Sequence, residues 1–564
     1  MNINFKRSLL KILTALFLLI IIFNLNSCTG EDKPRAKHII LFIGDGMHEA
    51  HEVATSRYLF GTDYGLSFHP SSGQMTYHTY VATWDVTTYD RYAYQAGKPA
   101  YDPKKISPAL GYDPAKGGKK PYPSEPDTPD KDKYFLTKLR THTSTAERLP
   151  ATDSASAGTA LATGYKTDDG NISWLPGDPA NGALKTIAET MREKNKASIG
   201  VVTTVPFVHA TPAVFVSHNV SRDNRYTGYR DYTGLGLADE VIKNTKPDVV
   251  IGAGWHGITN PTFDTTKGWI SKSLYDTLKA STEYFFVERK AGSDGAMLIK
   301  DGANKAVNEK KKLFGLFGGH LLFPDGKIES SELFEPPVPS NNPGNPSVAR
   351  GSIENPLLKD AVIAGLTVLS QNKNGFFLMA EQGDIDWANH ANNYKWMIGA
   401  TWDLHEAVKA AIEFVDKPGD DITWENTLLI VTSDHANSYM RLNDAKKLGK
   451  GVLPKQEYTP NRTTSDGYTT NWAYPNGDVL YRSGDHTNEL VNLYAKGSAA
   501  SLFAKYEGLW YPGTRIIDNT HIFKVMAEAA EVPSDTPLTV VAVVTIPAMG
   551  VAVCTIYFRR RKNK

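Results

Sequence analysis

Residues 38–46 read HIILFIGDG, and this stretch decides the fold class. From His38 to Ile43 the run has strand length and lacks polar alternation, which is typical of a strand buried on both faces of a sheet. Runs of the same character follow at 199–203, 249–252, 376–380 and 427–432. Helical periodicity appears at 184–194, 357–371 and 404–415. This alternation predicts an α/β fold, with a mostly parallel central sheet covered by helices on both faces.

Three stretches interrupt the alternation. Residues 91–133 are rich in Tyr, Lys, Pro and Gly, residues 334–349 in Pro, Asn and Ser, and residues 443–478 are polar with several turn-forming dipeptides. We interpret all three as surface insertions on one domain rather than as linkers between domains. The sequence therefore predicts a single folded domain over residues 28–535.

The charge balance excludes one class of function. The whole chain carries 62 basic and 61 acidic residues. Three of the basic residues lie in 1–27 and five in 559–564, which leaves 54 basic against 61 acidic residues between them. Because the body of the protein is acidic, nucleic-acid binding through a basic surface is not expected.

The first 28 residues have the organisation of a targeting segment. A basic start is followed by an apolar run from Ile12 to Phe23, whose length suits a secretory signal peptide over residues 1–27. The sequence Leu-Asn-Ser-Cys at 25–28 resembles a bacterial lipoprotein cleavage site, so Cys28 is predicted to become a lipidated N-terminus. An ordinary signal peptide with a coincidental cysteine is the alternative.

The other end of the chain predicts a second anchor. Residues 538–558 carry no charge and are followed by Arg-Arg-Arg-Lys. This pattern favours a transmembrane helix over 536–558 and a cytoplasmic basic tail over 559–564, although a buried core helix is an alternative. We therefore expect a membrane-anchored protein that faces the periplasm or the cell surface. The two cysteines, Cys28 and Cys554, lie in the anchors, so the body between them can form no internal disulfide.

Candidate ligands follow the predicted strands. Asp45 lies two residues past the first run, Glu381 directly follows the run at 376–380, and Asp434 and His435 follow the run at 427–432. Thr211 lies in the region after the run at 199–203. Since sites in open parallel sheets form beyond the carboxyl ends of the strands, these groups are expected to share one site.

The spacing of several acids and histidines suits metal ions. Asp386 and His390 are four residues apart, so they share one face of a helix and can bind one ion. His486, in a glycine-flanked loop, is a further candidate. Mixed Asp and His ligands suit zinc, whereas Asp, Glu and Thr oxygens suit magnesium.

The octapeptide DSASAGTA at 153–160 places a serine, Ser154, at the start of a predicted small-residue helix. The free N–H groups and the dipole of a helix N-terminus suit a phosphate group, which would bring a nucleophile and its substrate together. Close helix packing is the alternative reason for such a run of small residues.

Taken in order, these motifs resemble those of the alkaline phosphatases. The resemblance runs from about His38 to Lys496, with the insertions unmatched. The matching segments are IGDGM at 43–47, TDSA at 152–155, HATP at 209–212, residues 381–390, TSDH at 432–435 and HT at 486–487. It implies the three-layer fold of that family.

The resemblance implies a nucleophile and two zinc sites. Ser154 would attack phosphorus and become phosphoserine. One zinc ion would be held by Asp386, His390 and His486. The second would be held by Asp45, Asp434, His435 and Ser154.

It also implies one magnesium ion, held by Asp45, Thr211 and Glu381. Arg222 would clamp the phosphoryl oxygens of a small-molecule phosphate monoester. Many relatives dimerise, so a homodimer is one assembly left open. A phosphodiesterase or sulfatase of the same superfamily is the alternative enzyme, and a non-enzymatic phosphate-binding or adhesive surface protein is the third hypothesis.

Two residues depart from the best-known bacterial members. His209 and Trp387 stand where those members have Asp and Lys, and we expect the exchange to alter magnesium affinity and phosphate release. His209 is either a metal ligand or a group that supports the ligands, and the second reading is preferred.

Three further residues are assigned more weakly. Asp153 either orients Arg222 or serves only as a charge at the helix N-terminus. His48 and His51, on the helix predicted after Asp45, are expected to be surface groups outside the site.

Overall fold

The computed structural model describes residues 35–120, 151–225, 235–255, 268–322, 328–463 and 469–534. The predicted signal peptide with Cys28, the predicted transmembrane segment 536–558 and the basic tail 559–564 lie outside these residues. Among the helices of the described residues, none combines the length and the apolar character needed to cross a bilayer.

The strands of the described residues are numbered in chain order. They are β1 (His38–Gly44), β2 (Tyr77–Ala82), β3 (Ser198–Pro206), β4 (Val249–Ala253), β5 (Tyr284–Glu288), β6 (Lys312–Leu316), β7 (His320–Leu322), β8 (Ile328–Leu333), β9 (Val338–Pro339), β10 (Val348–Ala349), β11 (Phe376–Gln382), β12 (Thr427–Thr432), β13 (Ala436–Asn437), β14 (Arg441–Leu442), β15 (Glu457–Thr463), β16 (Thr469–Ala473), β17 (Val479–Leu480), β18 (His486–Thr487), β19 (Val491–Gly497) and β20 (Ile516–Asp518).

The α-helices of the described residues are numbered in the same way. They are α1 (Glu49–Phe60), α2 (Val86–Gln95), α3 (Pro114–Gly117), α4 (Ser154–Thr163), α5 (Ile187–Asn195), α6 (Ala210–Val216), α7 (Leu237–Glu240), α8 (Lys272–Lys279), α9 (Gly295–Glu309), α10 (Leu358–Leu369), α11 (Asp384–His390), α12 (Tyr394–Asp416) and α13 (Thr520–Ala529).

Ten strands form the main sheet, in the order β20-β2-β19-β12-β1-β11-β3-β4-β6-β5. The central strand β1 is parallel to both β11 and β12, and β19 is antiparallel to its two neighbours. In this register Ile43 lies opposite both Glu381 and Thr432. The three strands therefore end at the same level, which brings the residues that follow them to one edge of the sheet.

The two faces of the sheet bury two apolar clusters. Alternate side chains of β1 point to opposite faces, so Ile39 and Leu41 join one cluster whereas Ile40 and Phe42 join the other. Helices α4, α5, α6 and α13 cover the first face, and α9, α10 and α12 cover the second. Each fully buried Ile or Leu stabilises the fold by roughly 1.5–3 kcal/mol. The predicted α/β architecture, with a mostly parallel sheet between two helical layers, is confirmed.

The predicted elements differ from the structure mainly at their ends. The five predicted strands are confirmed as β1, β3, β4, β11 and β12. The first two predicted helices are confirmed as α5 and α10, but the third is only the second half of α12. Helix α12 begins ten residues earlier than predicted because Asn393 caps it, accepting a hydrogen bond from the backbone N–H of Trp396 at 3.2 Å.

The first insertion is less superficial than predicted. Its start lies within α2, and Tyr92 and Tyr112 are buried in an aromatic cluster with Trp84 and Tyr511. This cluster is built from residues distant in sequence, so no local periodicity marks it. Residues 121–133 of that insertion lie outside the described residues.

Candidate metal centre and nucleophile

The carboxyl ends of the central strands carry the acidic groups of the site. Asp45 follows β1 directly, Glu381 is the sixth residue of β11, and Asp434 lies two residues after β12. The turn after β1 needs glycine at position 46, because its φ is +67° and a Cβ there would lie 2.7 Å from Oδ1 of Asp386. The backbone N–H of Gly46 donates to Oδ1 of Asp434 at 3.1 Å, which ties two of these strand ends together.

The first cluster of possible metal ligands contains Asp386, His390 and His486, whose ligand atoms all lie within 4.8 Å of one another. Nε2 of His390 lies 3.2 Å from Oδ2 of Asp386, and Nε2 of His486 lies 3.4 Å from Oδ1 of the same carboxylate. Asp386 and His390 share one face of α11, as their spacing predicted. This is the residue set that the resemblance assigns to the first zinc ion.

Hydrogen bonds behind the first cluster fix the imidazole rings. Nδ1 of His390 lies 2.6 Å from the carbonyl oxygen of Gly484, and Nδ1 of His486 lies 2.8 Å from that of Thr152. A carbonyl only accepts, so both Nδ1 atoms carry the hydrogen and both Nε2 atoms are directed toward Asp386. Neither of these two contacts with backbone carbonyl groups was predicted from the sequence.

A further missed residue is Asn437, whose side-chain amide donates to Oδ1 of Asp386. It lies on β13, which pairs with the strand that carries His486. The sequence did offer one signal: Asn437 lies two residues after His435, and the predicted ligands Asp434 and His435 make that loop part of the site.

The second cluster contains Asp45, Asp434 and His435, all three fully buried. Nε2 of His435 lies 3.3 Å from Oδ1 of Asp45 and 3.4 Å from Oδ2 of Asp434. The hydroxyl of Ser154 lies 3.1 Å from the same Nε2 and 3.5 Å from Oδ2 of Asp45. The structure thus brings together the four residues expected around the second zinc ion.

The third cluster contains Asp45, His209 and Glu381, again with ligand atoms within 4.8 Å. The hydroxyl of Thr211 lies 3.4 Å from Oδ2 of Asp45, and the hydroxyl of Thr203 donates to Oε2 of Glu381. Asp45 therefore belongs to the second and third clusters at once. A ring nitrogen of His209 lies within 4.8 Å of ligand atoms of Asp45 and Glu381, so His209 stands among the possible ligands, whereas a position behind the ligands was the preferred prediction.

The electrostatics of these clusters fit bound cations. Burial, and then the neighbouring carboxylates, raise the pKa of Asp45 well above its usual value, and burial raises the pKa of Glu381 to about 7. Three buried carboxylate oxygens, Oδ1 of Asp45, Oε1 of Glu381 and Oδ2 of Asp434, lack a hydrogen-bond partner among the described residues. Packing these acids together is costly unless a cation compensates their charge. The donors therefore suit metal ions: carboxylates with imidazoles in the first two clusters, and an oxygen-rich set in the third.

Ser154 is the first residue of α4 and is 2% exposed. It opens into a cavity of about 590 Å³. The cavity lining combines groups of the first and third clusters with Ser154 and with aromatic and basic side chains, and includes Asp153, Ser154, His209, Arg222, Asp386, Trp387, His390 and His486. A phosphate group in this cavity would meet the positive end of the α4 dipole.

An ion pair with Asp153 holds Arg222 in the lining of the cavity. Its Nη1 donates to Oδ2 of Asp153 at 2.9 Å, and its Nη2 lies 3.2 Å from Nε2 of His209. Burial, and then the charge of Arg222, lower the pKa of His209 to about 3, so this imidazole is neutral and can accept from the guanidinium. Asp153 also caps α4, because its Oδ1 accepts from the N–H of Ser156 at 2.9 Å. Both roles considered for Asp153 are therefore present.

The expectation that His48 and His51 are surface groups is wrong, since both are 0% exposed. They cap the N-terminus of α1: Nδ1 of His48 accepts from the N–H of Ala50, and Nδ1 of His51 accepts from the N–H of His48, each at 3.2 Å. Helix α1 is buried along most of its length, so these polar rings are needed to satisfy its first turn. Neither belongs to the three clusters.

Comparisons with known proteins agree with the resemblance. A model of the alkaline phosphatase family matches residues 112–477, more than half of the chain. Alkaline phosphatase 4 of Bacillus subtilis (strain 168) is 31% identical over 452 residues, which cover 72% of this chain and 82% of that protein. The alkaline phosphatase of Escherichia coli (strain K12) is 28% identical over 497 residues, which cover 84% of this chain and 83% of that protein.

A solved structure shares the fold. The crystal structure of Thermus thermophilus alkaline phosphatase superposes with a TM-score of 0.51 at 19% identity, covering 89% of this chain and 93% of that one. At this identity the likeness concerns the architecture alone.

Proposed function

The chain belongs to the alkaline phosphatase family, whose members hydrolyse phosphate monoesters, and from this premise we propose that the reaction proceeds through a phosphoserine at Ser154. The Oγ–P bond forms as the P–O bond to the alcohol breaks. Water then cleaves the Oγ–P bond and releases inorganic phosphate. The free serine is restored for the next cycle.

One observation carries this proposal: the hydroxyl of Ser154 lies at the junction of the clusters and opens into the cavity. It is 3.1 Å from Nε2 of His435 and 3.5 Å from Oδ2 of Asp45, and it stands at the N-terminus of α4. A nucleophile in this position meets a phosphoryl group whose negative charge is compensated on several sides.

We assign the binding of the phosphoryl oxygens to Arg222. A guanidinium can donate two parallel hydrogen bonds to two oxygens of phosphate, which an ammonium group cannot match. Asp153 holds one edge of this guanidinium through Nη1, so the group is oriented before the substrate arrives.

We propose two zinc ions, one in each of the first two clusters, and one magnesium ion in the third, where Thr211 and Glu381 lie beside Asp45. When bound, these ions supply Lewis acidity that lowers the pKa of the attacking oxygens and stabilises the leaving oxygen. The first two positions would be held by Asp386, His390 and His486 and by Asp434, His435 and Asp45. Asp45 also belongs to the cluster that would hold the third ion.

A phosphodiesterase or sulfatase remains the competing enzyme. The third cluster favours monoesters, because the related diesterases and sulfatases do not require a site of this kind at Thr211 and Glu381. The ratio of kcat/KM for p-nitrophenyl phosphate to that for bis-p-nitrophenyl phosphate separates the two. A ratio well above one supports the proposal, and a preference for the diester contradicts it.

The phosphoserine itself can be trapped. Acid quenching of the enzyme during turnover, followed by peptide mass spectrometry, should find a phosphoryl group on Ser154, with fragment ions that distinguish it from Ser156. The Ser154→Ala variant should carry none. Phosphate trapped on another residue, and unchanged in the Ser154→Ala variant, would contradict the covalent step at Ser154.

We further propose that the catalytic domain works outside the cytoplasm, held by the segments around Cys28 and 536–558. A chain ending at Asp535 with Cys28 changed to serine should be released from membranes as active enzyme. Membrane association of this variant would contradict the two-anchor proposal.

A further inference from the structure

Behind the pair of Asp153 and Arg222 lies a second carboxylate. The hydroxyl of Ser156 is 2.8 Å from Oδ1 of Asp153 and 3.0 Å from Oδ2 of Asp85. Ser156 and Asp85 are each 1% exposed. Two carboxylates therefore lie on either side of a single hydroxyl group, in a place that bulk water does not reach.

The number of hydrogens in this arrangement constrains it. A serine hydroxyl carries one hydrogen, so Ser156 can donate to only one of the two carboxylates. The contact with the other is favourable when that carboxyl group carries a proton and donates to Oγ. Asp153 is ion-paired with Arg222, which keeps it ionised, so Asp85 is the group placed to hold the proton. Burial acts in the same direction, since it raises the pKa of Asp85 to about 6.

Asp85 is itself held firmly. It caps α2, where its Oδ1 accepts from the N–H of Thr88 at 2.7 Å, so its second oxygen is aimed at Ser156. The contacts join three separate parts of the chain: the start of α2, the start of α4 and the segment that carries Arg222. Without the Ser156 hydroxyl, Oδ1 of Asp153 would lose a hydrogen bond of 2.8 Å and would keep the one from the backbone N–H of Ser156.

We propose that Asp85 and Ser156 are positioning residues for phosphate binding: they hold the carboxylate of Asp153 in one orientation, and Asp153 in turn holds the guanidinium of Arg222. The inference rests on the proposed role of Arg222. Neither residue touches the substrate, so their loss should weaken phosphate binding without removing the nucleophile or the metal ligands.

The test measures the inhibition constant of inorganic phosphate against p-nitrophenyl phosphate hydrolysis by the purified, metal-loaded enzyme. Ser156→Ala and Asp85→Ala should each raise this constant by about three- to tenfold, the range for the loss of one ordinary hydrogen bond, because the effect reaches the phosphate only through Asp153 and Arg222. Asp85→Asn should stay near the wild type, because its amide can accept from Thr88 and donate to Ser156.

The decisive arm repeats the measurement in an Arg222→Ala background. Because the effect passes through Arg222, Ser156→Ala should there leave the inhibition constant unchanged. A double-mutant cycle of this kind separates positioning from a general loss of structure. Metal content and thermal unfolding are recorded for every variant.

Asp294→Ala is the matched control. Asp294 caps α9, accepting from the N–H groups of Ala296 and Met297 at 2.8 and 3.2 Å, and lies outside the cavity lining. It should lower stability without changing the phosphate constant. Should Asp85→Ala fail to fold, Ser156→Ala carries the test, since it leaves both helix caps in place.

If Ser156→Ala changes the inhibition constant of phosphate equally in the two backgrounds, or in neither, this inference is overturned. In that case hydrolysis of the ester by the wild-type enzyme still supports the proposed function. A wild-type enzyme that neither hydrolyses the ester nor binds phosphate would overturn the proposed function and this inference together.

Discussion

The two sides of the candidate site, here called its two walls, are built in different ways. On the metal side, Asp45, Glu381 and Asp434 stand at the ends of neighbouring strands, so the backbone of the sheet sets their positions. On the other side, Arg222 lies on a segment between α6 and α7, and side-chain contacts with Asp153 and His209 set its position. One site therefore combines a wall whose side chains are placed by the backbone of the sheet with a wall whose side chain is placed by hydrogen bonds.

The largest effect is expected where the walls meet. Ser154→Ala should lower kcat/KM by at least about a thousandfold, because no other group can form the covalent intermediate. Its metal content should stay close to that of the wild type, since Ser154 is one ligand among several. Activity near the wild-type level would show that Ser154 is not the nucleophile, and the difference between the two walls would then have no bearing on catalysis.

Arg222→Ala tests the adjustable wall alone. Loss of the guanidinium should lower kcat/KM by roughly a hundredfold, as for other charge-stabilising donors, and should leave metal content unchanged. Arg222→Lys is the matched variant and should recover only part of the loss, because an ammonium group cannot donate in the bidentate geometry. If lysine restores kcat/KM completely, the positive charge at residue 222 matters more than the geometry of its hydrogen bonds.

Asn437→Ala tests the fixed wall through a residue that is not a ligand. Removing the amide that donates to Asp386 should weaken zinc binding by about tenfold or more, measured by competition with a chelator. Asn372→Ala provides the control. Asn372 precedes β11, at the end of that strand opposite to the site, and its amide donates to the backbone carbonyl of Lys196. Zinc affinity that is equal in the two variants would contradict the supporting role of Asn437.

The smallest effect concerns the segment that leads to Arg222. Nδ1 of His218 lies 2.7 Å from Glu240, and its Nε2 lies 3.3 Å from Glu189. Burial alone would lower the pKa of His218, but the two glutamates raise it well above its usual value. The stability it contributes is therefore fully present below the unfolded-state pKa of about 6.5 and is lost as the pH rises through the folded-state pKa.

His218→Gln should accordingly lower the free energy of unfolding by about 1–3 kcal/mol near pH 6. The difference from the wild type, measured by urea denaturation, should shrink as the pH rises into the alkaline range. A difference that grows with pH would mean that His218 is neutral in the folded protein and would remove this charged support from the Arg222 segment.

The central strands could be predicted because their apolar runs record burial on both faces. The outer strands β2 and β19 could not, since polar residues interrupt them. In β19, Asn492 and Tyr494 are buried because both side chains donate to the carboxylate of Glu52 on α1. Glu52 lies 440 residues from Asn492 in the sequence, so no local pattern reveals this contact.

The same distinction holds for the site. The metal-side residues follow strands or share a helical face, so their spacing already suggested one centre. Arg222 came from the resemblance alone, and Asp85, 71 residues from its partner Ser156, had no signal in the sequence. The error for His48 and His51 has the same origin, since a buried helix start has to be capped by whatever polar side chains are near.

The most direct test is anomalous diffraction at the zinc edge from crystals of the purified catalytic domain. We expect two strong peaks, one among Asp386, His390 and His486 and one among Asp45, Asp434 and His435, with the hydroxyl of Ser154 beside the second. Zinc bound elsewhere, or these side chains turned away from any metal in a crystal of active enzyme, would contradict it.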